Sequence, residues 1–205
     1  MTTALIIDDH PVIHIGCRRL LQEAGFDVVL EARTCKEGYR QSSQHHPNVI
    51  VLDLRLPDTR GLSMISNLLD RTPTAKVLVF SMHEEPIFAA RALEAGAHGY
   101  LTKTAKPEEL TTAVNEIANG QIYLEPAVAT RLAVMHSGRG ENPFSKLTAR
   151  ELQVLSLIGR GKRHRDIADE LNLSYKTVAN TCSVLKSKLG AKNLPELIRI
   201  AIQAD

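Results

Sequence analysis

Four short apolar runs in the first half of the chain each end on a residue suited to phosphate chemistry. Ala4-Leu5-Ile6-Ile7 ends on Asp8-Asp9, and Val49-Ile50-Val51-Leu52 ends on Asp53. Val77-Leu78-Val79-Phe80 ends on Ser81, and Gly99-Tyr100-Leu101-Thr102 ends on Lys103. Three carboxylates, a hydroxyl and an ammonium suit a divalent metal and a phosphoryl group. Asp8 and Asp9 would hold the cation, since Mg²⁺ prefers carboxylate and water oxygens. Asp53 ends the central run and is the best nucleophile, forming an acyl phosphate. Lys103 can pair with a phosphoryl oxygen, and Ser81 can donate to one.

These residues meet only if the runs are neighbouring strands. Runs this short, rich in Val and Ile, read as parallel strands buried on both faces. In such a sheet the ligand sits beyond the carboxyl ends of the strands. Asp27 to Glu31 reads as a further strand. Helical patterns at Pro11–Gly25, Lys36–Gln44, Gly61–Asp70, Glu85–Ala95 and Pro107–Asn119 alternate with the strands. The expectation is an α/β fold of five strands and five helices, with right-handed crossovers placing helices on both faces.

Residues 136–143, His-Ser-Gly-Arg-Gly-Glu-Asn-Pro, form the strongest linker signal, with a short helix expected before it at Ala127–Met135. Beyond it the pattern is wholly helical. Thr148-Ala-Arg-Glu151 has capping-box spacing ahead of Leu152, Leu155 and Ile158. Arg165–Leu171, Tyr175–Leu189 and Asn193–Ile202 are the next helices, with Ser174 as N-cap and Gly190 closing the long one.

The 205 residues allow two small domains. The formal charge of +2 hides an asymmetry. Residues 1–125 carry 12 basic and 16 acidic side chains, a net −4, whereas residues 126–205 carry 13 and 7, a net +6. The basic half suits nucleic acid. No run approaches a membrane span and no secretory signal is visible, so no membrane partner is expected. Cys17, Cys35 and Cys182 are scattered, which fits reduced thiols in the cytoplasm. His10 and His14 lack a third matching ligand, so surface or helix-start roles are expected, with Asp9 available to cap the Pro11 helix.

Asp8-Asp9, Asp53-Leu-Arg-Leu-Pro57, Gly61, Ser81 and Lys103 resemble the receiver domain of two-component response regulators. The resemblance implies a doubly wound (βα)5 flavodoxin-like domain. It also implies phosphorylation of Asp53 by a cognate histidine kinase. Mg²⁺ would be held by Asp9, Asp53 and the carbonyl of Arg55, with Asp8 assisting. Ser81 and Tyr100 would be a switch pair, the ring turning inward when the hydroxyl engages the phosphoryl group. Leu56 stands where the family often has Met, a tolerable exchange by volume. Arg55 and His83 flank the pocket and are expected to tune water access.

The segments Leu147–Leu155, Asp166–Ser174, Thr177-Val178 and Lys188-Leu-Gly190 resemble a four-helix LuxR-type helix-turn-helix. Together the halves are similar to the NarL/FixJ class of response regulators. The implied recognition helix is Tyr175–Leu189, lying in the major groove of double-stranded DNA. Lys146, Lys162, Arg163, Arg165, Lys176, Lys186 and Lys188 are candidate phosphate contacts. Lys176, Thr177, Ala179, Asn180 and Ser183 complete the candidate DNA-binding set. The class commonly has Lys and His where this chain has Ala179 and Thr181, which leaves the groove-facing set small and nearly neutral. Asn180 could read adenine, and Ala179 could touch a thymine methyl.

The expected domains are a receiver over 1–120, a linker over 121–143 and a DNA-binding domain over 144–205. The expected function is a cytoplasmic transcription regulator, a homodimer when phosphorylated or DNA-bound. The alternative is a phosphorylation-independent DNA-binding protein with a degenerate receiver. An aspartyl-phosphate enzyme of the haloacid-dehalogenase type needs a second Asp two residues after the nucleophile, where this chain has Arg55, so an enzyme is not expected.

Overall fold

The computed structural model describes residues 1–58, 62–137, 144 and 147–204. The chain forms two compact units, Met1–Glu84 with Ala89–Ala129 and Glu85–Phe88 with Thr130–Asp205. The first half runs β1 (Thr3–Ile7), α1 (Pro11–Glu23), β2 (Val28–Ala32), α2 (Cys35–His45), β3 (Val49–Leu52) and α3 (Ser63–Arg71). It continues with β4 (Lys76–Ser81), α4 (Pro86–Glu94), β5 (Gly99–Thr102), α5 (Pro107–Ala118) and β6 (Tyr123–Leu124). All pairings are parallel, in the order β2-β1-β3-β4-β5-β6. The first five strands keep the flavodoxin-like order, whose reversal at β1/β3 makes a crevice at the strand ends.

Burial on both faces explains the unbroken apolar runs. Ala4, Ile6, Val49 and Val51 join Cys17, Leu21, Leu110 and Val114 of α1 and α5 in one core cluster. Their neighbours Leu5, Ile7, Ile50 and Leu52 point to the opposite face, as the period of two requires, and are equally buried. There Gly38 of α2 lies so close to the Ile7 side chain that a Cβ would collide with it. Across the sheet, Gly99 opens β5 where a Cβ would sit 3.0 Å from the Tyr123 carbonyl.

β6 is an addition to the expected five strands. Two residues are too few to show a period, and the strand exists because Tyr123 N–H donates to the His98 carbonyl and Glu125 N–H to that of Tyr100. Two further expectations change. The N-cap of α1 is His10 rather than Asp9, with no side-chain cap. His14 is buried, not a surface residue, because its turn of α1 faces the sheet. Helix α3 starts at Ser63, and Gly61 lies outside the described residues, as does much of the 136–143 linker.

After α6 (Pro126–Ser137), the second unit holds α7 (Ala149–Gly159), α8 (His164–Glu170), α9 (Tyr175–Leu189) and α10 (Leu194–Ala204). Thr148 and Glu151 close the capping box at α7, and the Ser174 hydroxyl accepts from Thr177 N–H at α9. Gly190 ends α9 in a left-handed conformation, φ 68°. Helix α10 begins one residue later than expected because the Asn193 side chain caps it, accepting from Glu196 N–H at 2.9 Å. Ile158, Ile167, Val178, Cys182, Leu185 and Leu197 fill the core.

Candidate functional site

Parallel register carries the polar residues to one edge. β1 pairs Ile7 with Leu52, so Asp8 and Asp53 emerge side by side. The ladder runs one step further, Asp8 N–H donating to the Ala32 carbonyl and Asp53 N–H to that of Ile7. On the other flank Ser81 pairs with Thr102, and Lys103 N–H donates to the Ser81 carbonyl. Lys103 thereby comes to lie opposite the two aspartates.

Asp8 and Asp53 are each only 2% exposed. The Lys103 ammonium sits 2.6 Å from an oxygen of each. Burial alone would pull this ammonium down, but the two carboxylates, Asp53 first, outweigh that and hold it above the ordinary lysine value. The other Asp53 oxygen accepts the Arg55 amide at 3.0 Å. Asp9 completes the acidic group: one carboxylate oxygen each of Asp8, Asp9 and Asp53 and a ring nitrogen of His10 lie within 4.8 Å of one another. The ammonium balances only part of this charge. Carboxylate oxygens converging beside a sheet edge fit a hard divalent cation such as Mg²⁺.

Ser81 is fully buried, its hydroxyl accepting from His83 N–H at 3.3 Å. Tyr100 is fully buried as well, and its hydroxyl donates to the His83 carbonyl at 2.7 Å. The ring therefore already lies inward, and Ser81 and Tyr100 converge on one residue of the β4–α4 loop. Nearby, Cys17 is inert: burial, and secondarily the Asp8 carboxylate, push its thiol up to about 12.

Two histidines expected in surface or helix-start roles also reach the pocket. His10 Nδ1 lies 3.0 Å from Asp8 and 2.9 Å from Asp9. His14 Nε2 lies 2.6 Å from the Asp8 carbonyl oxygen. The Asp-Asp-His run held the signal for His10. His14 could be found only through the six-residue reach of α1 back onto the strand end.

In the second unit, Lys176, Thr177, Asn180 and Ser183 lie exposed along one face of α9, and Ala179 is half-buried beside them. The Ser183 hydroxyl turns back to the Ala179 carbonyl and that of Thr181 to Thr177. The basic residues fall into two groups. Lys162 pairs with Glu170, Arg163 with Asp166 and Lys188 with Glu151. Arg165, Lys176 and Lys186 form no ion pair among the described residues. Lys146 lies outside the described residues.

A parallel sheet with an acidic, lysine-closed pocket at its carboxyl edge, in one chain with a helical unit that carries basic side chains, is the arrangement of a response regulator. The response regulator receiver domain matches residues 4–115, and the LuxR family of bacterial regulatory proteins matches residues 145–201. The chain belongs to the two-component response regulators that carry a LuxR-type DNA-binding domain. It is 38% identical over 196 residues to the methanol utilization control regulatory protein MoxX of Paracoccus denitrificans, covering 95% of this chain and 88% of that one. It is 32% identical to the response regulator UvrY of Escherichia coli K12, covering 99% and 94%. A LuxR-family response regulator from Aurantimonas superposes with a TM-score of 0.63 at 35% identity, covering 67% of this chain and 99% of that one. RcsB of Salmonella enterica serovar Typhimurium, solved on the rprA promoter with the phosphomimetic BeF3⁻, shares the fold with a TM-score of 0.66 at 24% identity over 97% and 96% of the chains. The protein is a DNA-binding transcription regulator of a two-component system and not an enzyme of metabolism.

Proposed function

We propose that Asp53 is the phosphoacceptor through which a cognate histidine kinase controls DNA binding by this chain. The observation that carries this reading is the Lys103 ammonium, 2.6 Å from both Asp53 and Asp8 at the end of the central strand. The Arg55 amide holds one Asp53 oxygen, which leaves the other to attack phosphorus. A phosphorus–oxygen bond forms to Asp53 as the bond to the donor nitrogen breaks, and Lys103 shifts onto a phosphoryl oxygen. Asp9, Asp53 and the Arg55 carbonyl, with Asp8 assisting, would hold Mg²⁺. Bound there, it neutralises the three carboxylates and the charge on the transferring group.

Ser81 donates to the phosphoryl group in this scheme, and Tyr100 passes the change to the β4–α4 loop through the His83 carbonyl. The domains are a receiver over 1–120, a linker over 121–143 and a DNA-binding domain over 144–205, consistent with the two family matches. Lys162, Arg163, Arg165, Lys176, Lys186 and Lys188 contact DNA phosphates. Thr177, Ala179, Asn180 and Ser183 face the groove. Phosphorylation favours a homodimer on paired half-sites. The protein works in the cytoplasm. Among the described residues no helix is long and apolar enough to cross a membrane.

Intact mass after treatment with Mg²⁺ and acetyl phosphate tests the central step. One phosphoryl adduct, absent from Asp53→Asn, is the expected result. An adduct that persists in Asp53→Asn refutes the assignment. No adduct from acetyl phosphate or from a kinase-bound phosphohistidine favours phosphorylation-independent DNA binding instead.

A further inference from the structure

We propose that His14 is a positioning residue for the metal-binding end of the pocket, acting through the peptide that joins Asp8 to Asp9. The proposal rests on the reading of that pocket as a Mg²⁺ site. His14 projects from the first turns of α1 and is only 3% exposed. Its Nε2–H donates to the Asp8 carbonyl at 2.6 Å. Its Nδ1 faces Glu31 at 3.6 Å, and Glu31 in turn accepts from Arg18 Nε at 2.9 Å. The ring is thus anchored by one hydrogen bond to the main chain, while Nδ1 makes none among the described residues.

The carbonyl it holds decides where Asp9 points. Asp8 is fixed on every other side: its amide donates to Ala32, one carboxylate oxygen accepts from His10 N–H, and the other meets Lys103. Rotation of the Asp8–Asp9 peptide plane would swing the Asp9 carboxylate, which also meets His10 Nδ1 at 2.9 Å. Asp9 itself is exposed, one residue before His10, the N-cap of α1. The His14 hydrogen bond stops the rotation from beneath, where solvent cannot replace it. A buried imidazole that donates to the main chain beneath a ligand does for this site what partners outside the ligand shell do elsewhere, where their loss weakens metal affinity by about 10- to 100-fold.

The test compares the parent with His14→Phe, which keeps a flat ring but no donor, and His14→Gln, whose amide nitrogen can occupy the place of Nε2. Mg²⁺ affinity is measured by titration calorimetry, alongside thermal unfolding with and without Mg²⁺. His14→Phe should bind Mg²⁺ about tenfold more weakly, and His14→Gln should recover most of the loss. A purely structural His14 would lower both variants' thermal stability and leave Mg²⁺ affinity untouched. Should His14→Phe fail to fold, His14→Met, which likewise lacks a donor, takes its place and should weaken Mg²⁺ binding in the same direction. Unchanged Mg²⁺ affinity in a folded variant that lacks the donor overturns the proposal. A parent protein that takes up no Mg²⁺ at millimolar concentration overturns the pocket reading first, and the role of His14 with it.

Discussion

Lys103 is the residue on which the receiver's charge balance turns. Its ammonium touches two buried carboxylates, so its removal leaves both without their cation. Breaking a buried pair from one side costs more than the pair contributes, because an uncompensated charge stays behind. Lys103→Met should therefore lower the unfolding free energy by about 3 kcal/mol in EDTA. Adding Asp53→Asn should return part of the loss, since one of the stranded charges disappears. Chemical denaturation of the two single variants and the double variant measures this coupling directly. The pH dependence has a definite sign. A group held above its ordinary value stabilises the fold fully below that value, and the contribution fades as pH rises through the raised one. The parent should thus lose its advantage over Lys103→Met only in strongly alkaline solution, above the ordinary lysine value of 10.5.

The capping box of α7 governs stability at the level of elements in the second unit. Thr148 Oγ1 accepts from Glu151 N–H at 3.2 Å, and the Glu151 carboxylate accepts from Thr148 N–H at 2.6 Å. Glu151 also meets Lys188 at 2.8 Å, so one side chain both starts α7 and ties it to the end of α9. Thr148→Ala should cost about 1 kcal/mol of stability. Burial pushes the Glu151 carboxyl up, but the Lys188 ammonium and the Thr148 donors prevail and hold it below the usual glutamate value. Its contribution is present above that value and is lost as pH falls through the lowered one. Glu151→Gln should match the parent in acid and fall short of it at neutral pH, which unfolding curves across pH would show. This box, like the apolar strands, was legible in the sequence, because its residues are neighbours in the chain. β6 was not, since its partner lies some 24 residues back at Gly99. The acidic pocket was legible because the ends of four apolar runs carried its residues. His14 was not, because helical period alone does not tell a polar side chain turned to the sheet from one turned to water.

At the scale of the whole molecule, charge is divided between a net −4 over residues 1–125 and a net +6 over residues 126–205. That excess does not translate evenly into DNA affinity. Each phosphate contact releases counterions, and each contributes about one unit to the slope of log affinity against log salt. Lys162 already spends its ammonium on Glu170 and Lys188 on Glu151, so a phosphate must displace a carboxylate before either can count. Lys176, exposed on the first turn of α9, has no such competitor among the described residues. Lys176→Ala should flatten the salt dependence of binding to a mixed-sequence duplex by about one unit, while Lys162→Ala should change it far less. Ala179→Lys should steepen it by about one unit, since that position lies one turn beyond Lys176 on α9. Fluorescence anisotropy across a salt series reads all three slopes. Equal flattening by Lys162→Ala and Lys176→Ala would mean that the intramolecular pairs open freely on DNA, and that the basic face acts through its total charge rather than through the few side chains left unpaired.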